Sequence, residues 1–303
     1  MGSMTIWQLA RRGVSVIGFE QFGIGHDRGA AGGDTRIFRT AYAEGAEYVP
    51  ILQQAYREWR QLEKESKQTL LTLTDGLLIY QKDSKELKNT LKSIEEYQLN
   101  HRILSKNEAE KEYPQHRLNP DDVIVVDQQA GFVRSQLAIL AAVTRAEELG
   151  ATIYRHSPVE KIETHSSEQT VKITANGQTY TVSQVIITAG PWINKVFPVF
   201  KEHIEIRRLV GAWFPAKQMA QFSPENFPVF TRNSKNLSCY GIPSIDGTMV
   251  KVAFGPNKPI ESPNSLNKHV TTEEIDHTRE LIDTYFSGLY NEPNRIQAFM
   301  EAY

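Results

Sequence analysis

The segment Gly33-Asp34-Thr35-Arg36, running on through Ile37-Phe38-Arg39 to Tyr42, combines turn-forming residues with two arginines three apart. Two guanidinium groups at that spacing can hold an anion such as a carboxylate, although the same residues also suit a solvated surface. A second position with chemical potential is Lys251, set between Val250 and Val252 in a β-branched run. An unpartnered ammonium in mid-sheet is costly, so this lysine either serves chemistry or lies on an edge strand with its amine in water. Third, Glu20 closes the run Val14-Ser15-Val16-Ile17-Gly18-Phe19, and an acid at such a strand end can accept hydrogen bonds from a ribose. The eight histidines are scattered with no HxH or HxxxH pair, so no metal site is expected. A single cysteine, Cys239, excludes an internal disulfide and any multi-cysteine metal centre.

These residues need elements to position them. Ile6, Leu9 and Ala10 are spaced for a helix over residues 5–12, Gly13 ends it, and a short buried strand leads to Glu20. Helix, glycine, strand and acid form the second half of a Rossmann unit. In that unit Gly2 would be the last glycine of the phosphate-binding turn, with the first strand and the other glycines upstream of Met1. Met1-Gly2-Ser3 can equally be a cloning remnant, which removes Gly2 from the argument and leaves the rest. Residues 48–63 form an amphipathic helix with Ile51, Ala55, Trp59 and Leu62 on one face. Asp75-Gly76 between two apolar runs predicts a hairpin over 70–80, followed by a surface helix over 85–97 and a strand over 122–127. A helix over 135–149 opens on a Ser135 cap and stops at Gly150. Strands follow at 151–154, 159–162, 171–174 and 179–182, with an Asn176-Gly177 turn, and then a buried strand over 185–188. Gly190 at its end either lies beside a dinucleotide or only shapes the turn. From about residue 204 the pattern becomes antiparallel, with strands at 207–214, 228–231, 239–242 and 248–254. One helix, capped by Thr271 and Glu274, spans 271–290.

Several motifs then recur in a fixed order. They are Gly33-Asp34-Thr35-Arg36, Ala41-Tyr42 with Glu44-Gly45, Glu47-Tyr48-Val49-Pro50, and Ala130-Gly131-Phe132-Val133-Arg134-Ser135-Gln136-Leu137-Ala138-Ile139. Thr188-Ala189-Gly190-Pro191-Trp192, Tyr240-Gly241-Ile242-Pro243 and Met249-Val250-Lys251-Val252 complete the series. In these motifs the chain resembles the monomeric sarcosine oxidase and N-methyltryptophan oxidase family of FAD enzymes, over nearly its whole length. The resemblance implies an α/β fold: a Rossmann-type FAD-binding domain, incomplete at both ends, with an inserted α+β substrate domain on a mixed, largely antiparallel sheet. Residues 1–70 and 134–204 would form the first domain, and 71–133 and 205–303 the second. By resemblance Arg39 binds the substrate carboxylate, with Tyr240 also on the substrate side. Arg36 lies beside the flavin, and Lys251 promotes the reaction of reduced flavin with oxygen. Gly2, Glu20, His26, Gly33, Thr35, Arg36, Val159, Gly190 and Trp192 are the cofactor-binding candidates.

Composition narrows the partners. Lys plus Arg number 34 against 36 Asp plus Glu, a net charge of −2 over 303 residues, so no global field favours nucleic acid or an anionic membrane. No apolar run approaches the roughly 18 residues that cross a bilayer. A cytoplasmic monomer handling a small amino acid and oxygen is expected. Two departures from the family stand out. It carries a histidine just before its Gly-Asp-Thr-Arg and another four residues after its lysine, where this chain has Gly32 and Gly255. Sarcosine itself is therefore expected to be a poor substrate. Cys239 does not match the family's flavin-linking cysteine, so FAD is expected to be non-covalent, and the stop at Tyr303 suggests an internal fragment of a longer protein. The leading expectation is FAD-dependent oxidation of a secondary or N-methylated amino acid by hydride transfer, with oxygen giving hydrogen peroxide. The alternatives are a truncated, catalytically incompetent flavoprotein remnant and an FAD amino-acid dehydrogenase using another acceptor, and Lys251 argues against the latter.

Overall fold

The computed structural model describes residues 1–165, 170–234 and 237–302. Its first half contains α1 (Gly2–Arg11), β1 (Ile17–Phe19), β2 (Arg36–Phe38), α2 (Val49–Ser66), β3 (Leu71–Leu73), β4 (Gly76–Gln81), α3 (Lys85–Tyr97), β5 (His101–Leu104), α4 (Lys106–Glu112), β6 (Asp122–Asp127), β7 (Gly131–Val133) and α5 (Ser135–Glu148). Then come β8 (Thr152–Tyr154), β9 (Val159–His165), β10 (Thr170–Ala175), β11 (Gln178–Val182), α6 (Ile193–Val196), β12 (Ile206–Phe214), β13 (Val229–Ser234), β14 (Leu237–Ile242), β15 (Val250–Ile260), α7 (Thr272–Tyr285) and β16 (Arg295–Ala302).

The α/β layer begins where Gly13, at φ +72°, reverses the chain after α1 and sends it into β1. β1 pairs in parallel with β8, and α1, α2 and α5 pack together through Ile6, Trp7, Leu62, Ala138 and Ala142. The alanines of α5 let α1 approach closely, and the Trp7 indole donates to Glu65 on α2 at 3.0 Å. Beside this layer, β9, β10 and β11 form an antiparallel meander whose two-residue turn, Asn176 (φ 49°) and Gly177 (φ 70°), has the left-handed pair that such hairpins favour.

The larger sheet has eight strands in the order β16-β12-β15-β14-β13-β4-β6-β5. Strand alternation divides it into two unlike faces. Phe214, Phe230, Cys239, Val250, Val252 and Phe254 point to one side, where Ala109 of α4 and Ile282 of α7 close an apolar core. Within that core Arg232 donates to Asp122 at 2.6 Å and to Arg117 O at 3.0 Å, tying β13 to the start of β6. Leu209, Thr231, Tyr240, Lys251 and Phe299 alternate with those residues and belong to the opposite face.

Several expectations change. Residues 70–80 do not form a hairpin, because β3 pairs with β7 while β4 lies between β13 and β6. Residues 76–80 are buried throughout, and a strand apolar on both faces belongs in mid-sheet. Ser135 does not cap α5; its hydroxyl donates to Ala31 O at 2.8 Å, fastening the helix to the loop before β2. Residues 185–188 are not a buried strand: Ile186 is 60% exposed, and no described strand pairs with them. A β-branched run becomes a ladder only where a neighbour supplies partners. α2 turns Ile51 outward and packs through Ala55, Tyr56, Trp59 and Leu62. α7 keeps its Thr271–Glu274 capping box but ends at Tyr285, since Phe286 turns extended to enter the core.

His116 sits in that core against Phe227, Phe230 and Phe286, with neither ring nitrogen hydrogen-bonded among the described residues. Burial, reinforced by Arg232, pushes its pKa down to about 3. An unfolded histidine protonates near 6.5, so the unfolded chain binds the extra proton first, and stability falls as pH drops from about 6.5 toward 3. Urea unfolding at pH 7 and pH 5 measures this. The native chain should lose about 2 kcal/mol more than His116→Leu over that interval, and equal losses would mean that His116 does not titrate on unfolding.

Candidate active site

β15 lies between β12 and β14, so Lys251 is in mid-sheet and the edge-strand alternative falls away. The lysine is 2% exposed. Its Nζ donates to Gly33 O at 2.8 Å and Thr35 O at 3.2 Å, joining the large sheet to the loop before β2. Aromatic rings of Trp213, Phe299 and Tyr240 stand around it at 5.3, 5.5 and 5.9 Å. Burial pushes the Lys251 pKa well below its usual range and Arg36 adds to this, while Asp34 opposes it. The two carbonyls and the ring faces favour the charged form and offset part of that lowering, so a proton on Lys251 is held more loosely than on a surface lysine.

Gly33 makes this approach possible. At φ +81° it occupies the left-handed region, and a Cβ there would stand 2.6 Å from Phe299 Cζ and 3.3 Å from Lys251 Nζ. Gly32 is constrained differently, because its Cβ would meet the Asp27 carbonyl oxygen at 2.8 Å. Thr35 is buried, and its carbonyl also accepts from Arg36 at 2.6 Å. The Arg36 guanidinium lies 5.8 Å from the Phe299 ring. Arg39 pairs with Glu44 at 2.6 Å and covers the Tyr42 ring at 4.5 Å. Asp34 pairs with Arg295 of β16, whose guanidinium stacks 4.1 Å from the Trp213 ring.

Against this cluster lies a cavity of about 1280 Å³, larger than a drug-sized site and suited to a long ligand. Of the residues singled out from sequence, Gly2, Glu20, His26, Arg36, Arg39, Val159, Gly190, Trp192 and Tyr240 line it. Gly33, Thr35 and Lys251 are buried immediately behind that wall. Burial raises the Glu20 pKa, but hydrogen bonds from His26 and the Phe22 amide outweigh it and leave the carboxyl below its usual range. The His26 ring packs on Phe22, which in turn meets Trp192 edge-on. The Trp192 indole is committed to Asn264 at 3.0 Å, so this residue offers the cavity its ring and not its N–H. A Cβ on Gly2 would stand 2.7 Å from Thr188 Oγ1, which makes it a close-packing glycine at the start of α1. Gly190 adopts φ +51° with open space where a Cβ would be, so the turn alone accounts for it.

The residues present fit a dinucleotide cofactor. An anionic carboxylate closes β1, a close-packing glycine opens α1, and Arg36, Arg39, Tyr42 and Tyr240 line the same cavity. The single cysteine is elsewhere: Cys239 is in the phenylalanine core, where burial pushes its thiol up to about 12. Two participants carry no local sequence signal. Trp213 and Phe299 reach Lys251 only through the pairing of β12 with β15 and β16, and β16 is a strand that no pattern in the sequence marks. Glu44 finds Arg39 through the turn that ends at Gly45.

Comparison with known proteins agrees with this geometry. Residues 1–300 match the FAD dependent oxidoreductase family. The monomeric sarcosine oxidase of Streptomyces avermitilis is 30% identical over 279 residues, covering 91% of this chain and 72% of that protein. The N-methyl-L-tryptophan oxidase of Yersinia pestis is 29% identical over 246 residues, 80% of this chain and 65% of that protein. NikD, described as an unusual amino acid oxidase essential for nikkomycin biosynthesis, shares the fold with a TM-score of 0.84 at 17% identity, over 99% of this chain and 78% of that one. With a Rossmann-type α/β layer, a mixed sheet, a cavity of cofactor dimensions and a family match over almost every residue, this chain belongs to the FAD dependent oxidoreductases.

Proposed function

We propose that the chain oxidises a secondary or N-methylated amino acid at its C–N bond and uses oxygen as the final acceptor, acting as a cytoplasmic monomer on small molecules. FAD, when bound, supplies the acceptor for a hydride equivalent from the carbon next to nitrogen and returns the two electrons to oxygen, which with two protons gives hydrogen peroxide. The observation that carries this reading is Lys251, a buried cation source in mid-sheet held by the carbonyls of Gly33 and Thr35. Negative charge developing on oxygen is stabilised by a preorganised cation in a dry site. Arg39 is the group for the substrate carboxylate, which would take the place that Glu44 now holds. Arg36 lines the same cavity and is the cation assigned to the flavin side of it. The domain division at residues 70/71, 133/134 and 204/205 is part of this proposal. It is supported by the pairing of β1 with β8 on one side and by the eight-stranded sheet on the other, while β2, β7 and β3 form a three-stranded sheet across the 70/71 and 133/134 boundaries.

The first check is the visible spectrum of the purified protein before and after denaturation. A flavin chromophore that stays in solution when the protein is removed is expected, since Cys239 lies away from the cavity. With flavin bound, a panel of secondary and N-methyl amino acids should release peroxide, and Lys251→Met should slow reoxidation by oxygen about a hundredfold or more while leaving anaerobic reduction by substrate. Reduction by amines with electron delivery to a dye but not to oxygen would replace the oxidase by a dehydrogenase. Within the panel, sarcosine should be a poor substrate, because no imidazole stands at Gly32 or Gly255; sarcosine as the best substrate would sink that expectation.

A further inference from the structure

We infer that Thr231 is a specificity-determining residue, and that the preferred substrate carries a neutral hydrogen-bonding group, a hydroxyl or carboxamide, on its side chain or nitrogen substituent. The inference rests on the amino-acid oxidase reading above and extends it to a wall of the cavity that reading leaves unassigned.

Thr231 stands directly opposite Tyr240 across the β13–β14 pair and beside Leu78 of β4. It lines the large cavity together with Tyr240, Arg36, Arg39 and Tyr42. Its Oγ1 is shielded from solvent and has no hydrogen-bond partner among the described residues. The next polar residue along that face, Asn233, accepts from Ser238 at 3.0 Å, and the preceding one, Val229, is apolar and buried. Thr231 is thus a hydroxyl in a strand where valine would fill the same volume without an orphaned polar atom. An unmade buried hydrogen bond is costly, and a bound partner would recover that cost.

The neighbours set the ligand's chemistry. Leu78 and Tyr240, which flank Thr231 across the strands, carry no formal charge, and Arg39, a cation on the same cavity, is already assigned to the substrate carboxylate, so the group that meets Thr231 is a neutral one. A hydroxyl or amide needs only the one hydrogen bond that Thr231 can donate or accept.

The test compares the flavin-loaded native protein with Thr231→Val on two matched pairs: N-methyl-L-serine with N-methyl-L-alanine, and N-methyl-L-glutamine with N-methyl-L-norleucine. The native protein should favour the polar member of at least one pair in kcat/KM. Thr231→Val should shrink that ratio about tenfold, mainly through KM, and should not lower the melting temperature of the unliganded protein. A ratio unchanged by the substitution, or a variant whose melting temperature falls by several degrees, assigns the hydroxyl to the fold and overturns the inference alone. If neither protein is reduced by any of the four amines nor by the wider panel, the oxidase reading fails and takes this inference with it.

Discussion

A buried lysine amine held by two backbone carbonyls of a distant loop organises this molecule. Lys251 of β15 reaches Gly33 and Thr35, more than two hundred residues away in sequence, and the contact binds the eight-stranded sheet to the loop that leads into the α/β layer. Desolvating a lysine is expensive, and the return from two hydrogen bonds and three ring faces is partial, which is why its pKa lies below that of an exposed amine. The arrangement persists because everything around it is over-determined. Only a glycine fits at position 33 under the Phe299 ring, Thr35 is buried, and Arg295 holds Asp34 from the next strand but one. Desolvation concentrated at one point, with packed support around it, is what a site for charge stabilisation requires.

The support comes from strand alternation. A period of two sends Val250, Val252 and Phe254 into the phenylalanine core and Lys251 to the other side, and the same parity separates Cys239 from Tyr240 on β14. One face is therefore a structural core sealed by α4 and α7. The other is a working surface that carries the lysine, its rings and Thr231. A one-residue slip of β15 would exchange them, placing an ammonium among phenylalanines, so the register that builds the core also builds the site.

Much of this is legible in the residues, and the parts that are not share a cause. Local signals find α3 and β6 at their observed bounds, the Asn176-Gly177 turn and the Thr271–Glu274 cap, because propensity and hydrogen-bonding chemistry act within a few residues. Glu20, Arg36, Arg39 and Lys251 are visible as unusual charges in ordered segments. The errors are errors of partnership. β3 and β4 resemble a hairpin locally but are claimed by β7, β13 and β6, which lie far along the chain. Residues 185–188 have strand propensity and no described partner. Ser135 has the side chain of a cap and spends it on Ala31. Trp213 and Phe299 surround Lys251 through cross-strand neighbours that no local pattern announces.

The glycine pair before Asp34 shows how one loop can encode both support and selectivity. Gly33 is required by its left-handed backbone and by the Phe299 ring, so its role is to let Lys251 reach the loop. Gly32 is required because the loop folds back on the carbonyl of Asp27, a residue that is itself held in place: the Asp27 carboxylate receives Lys268 and Gln297. A histidine at position 32 would need a different loop path, and that path would disturb the carbonyl of the very next residue, which Lys251 depends on. At Gly255 the atom nearest to an added Cβ would be Ser238 Cβ at 3.5 Å, an ordinary contact, so a side chain is admissible there. A side chain at position 32 is thus tied to the geometry of the lysine site, whereas one at position 255 is independent of it.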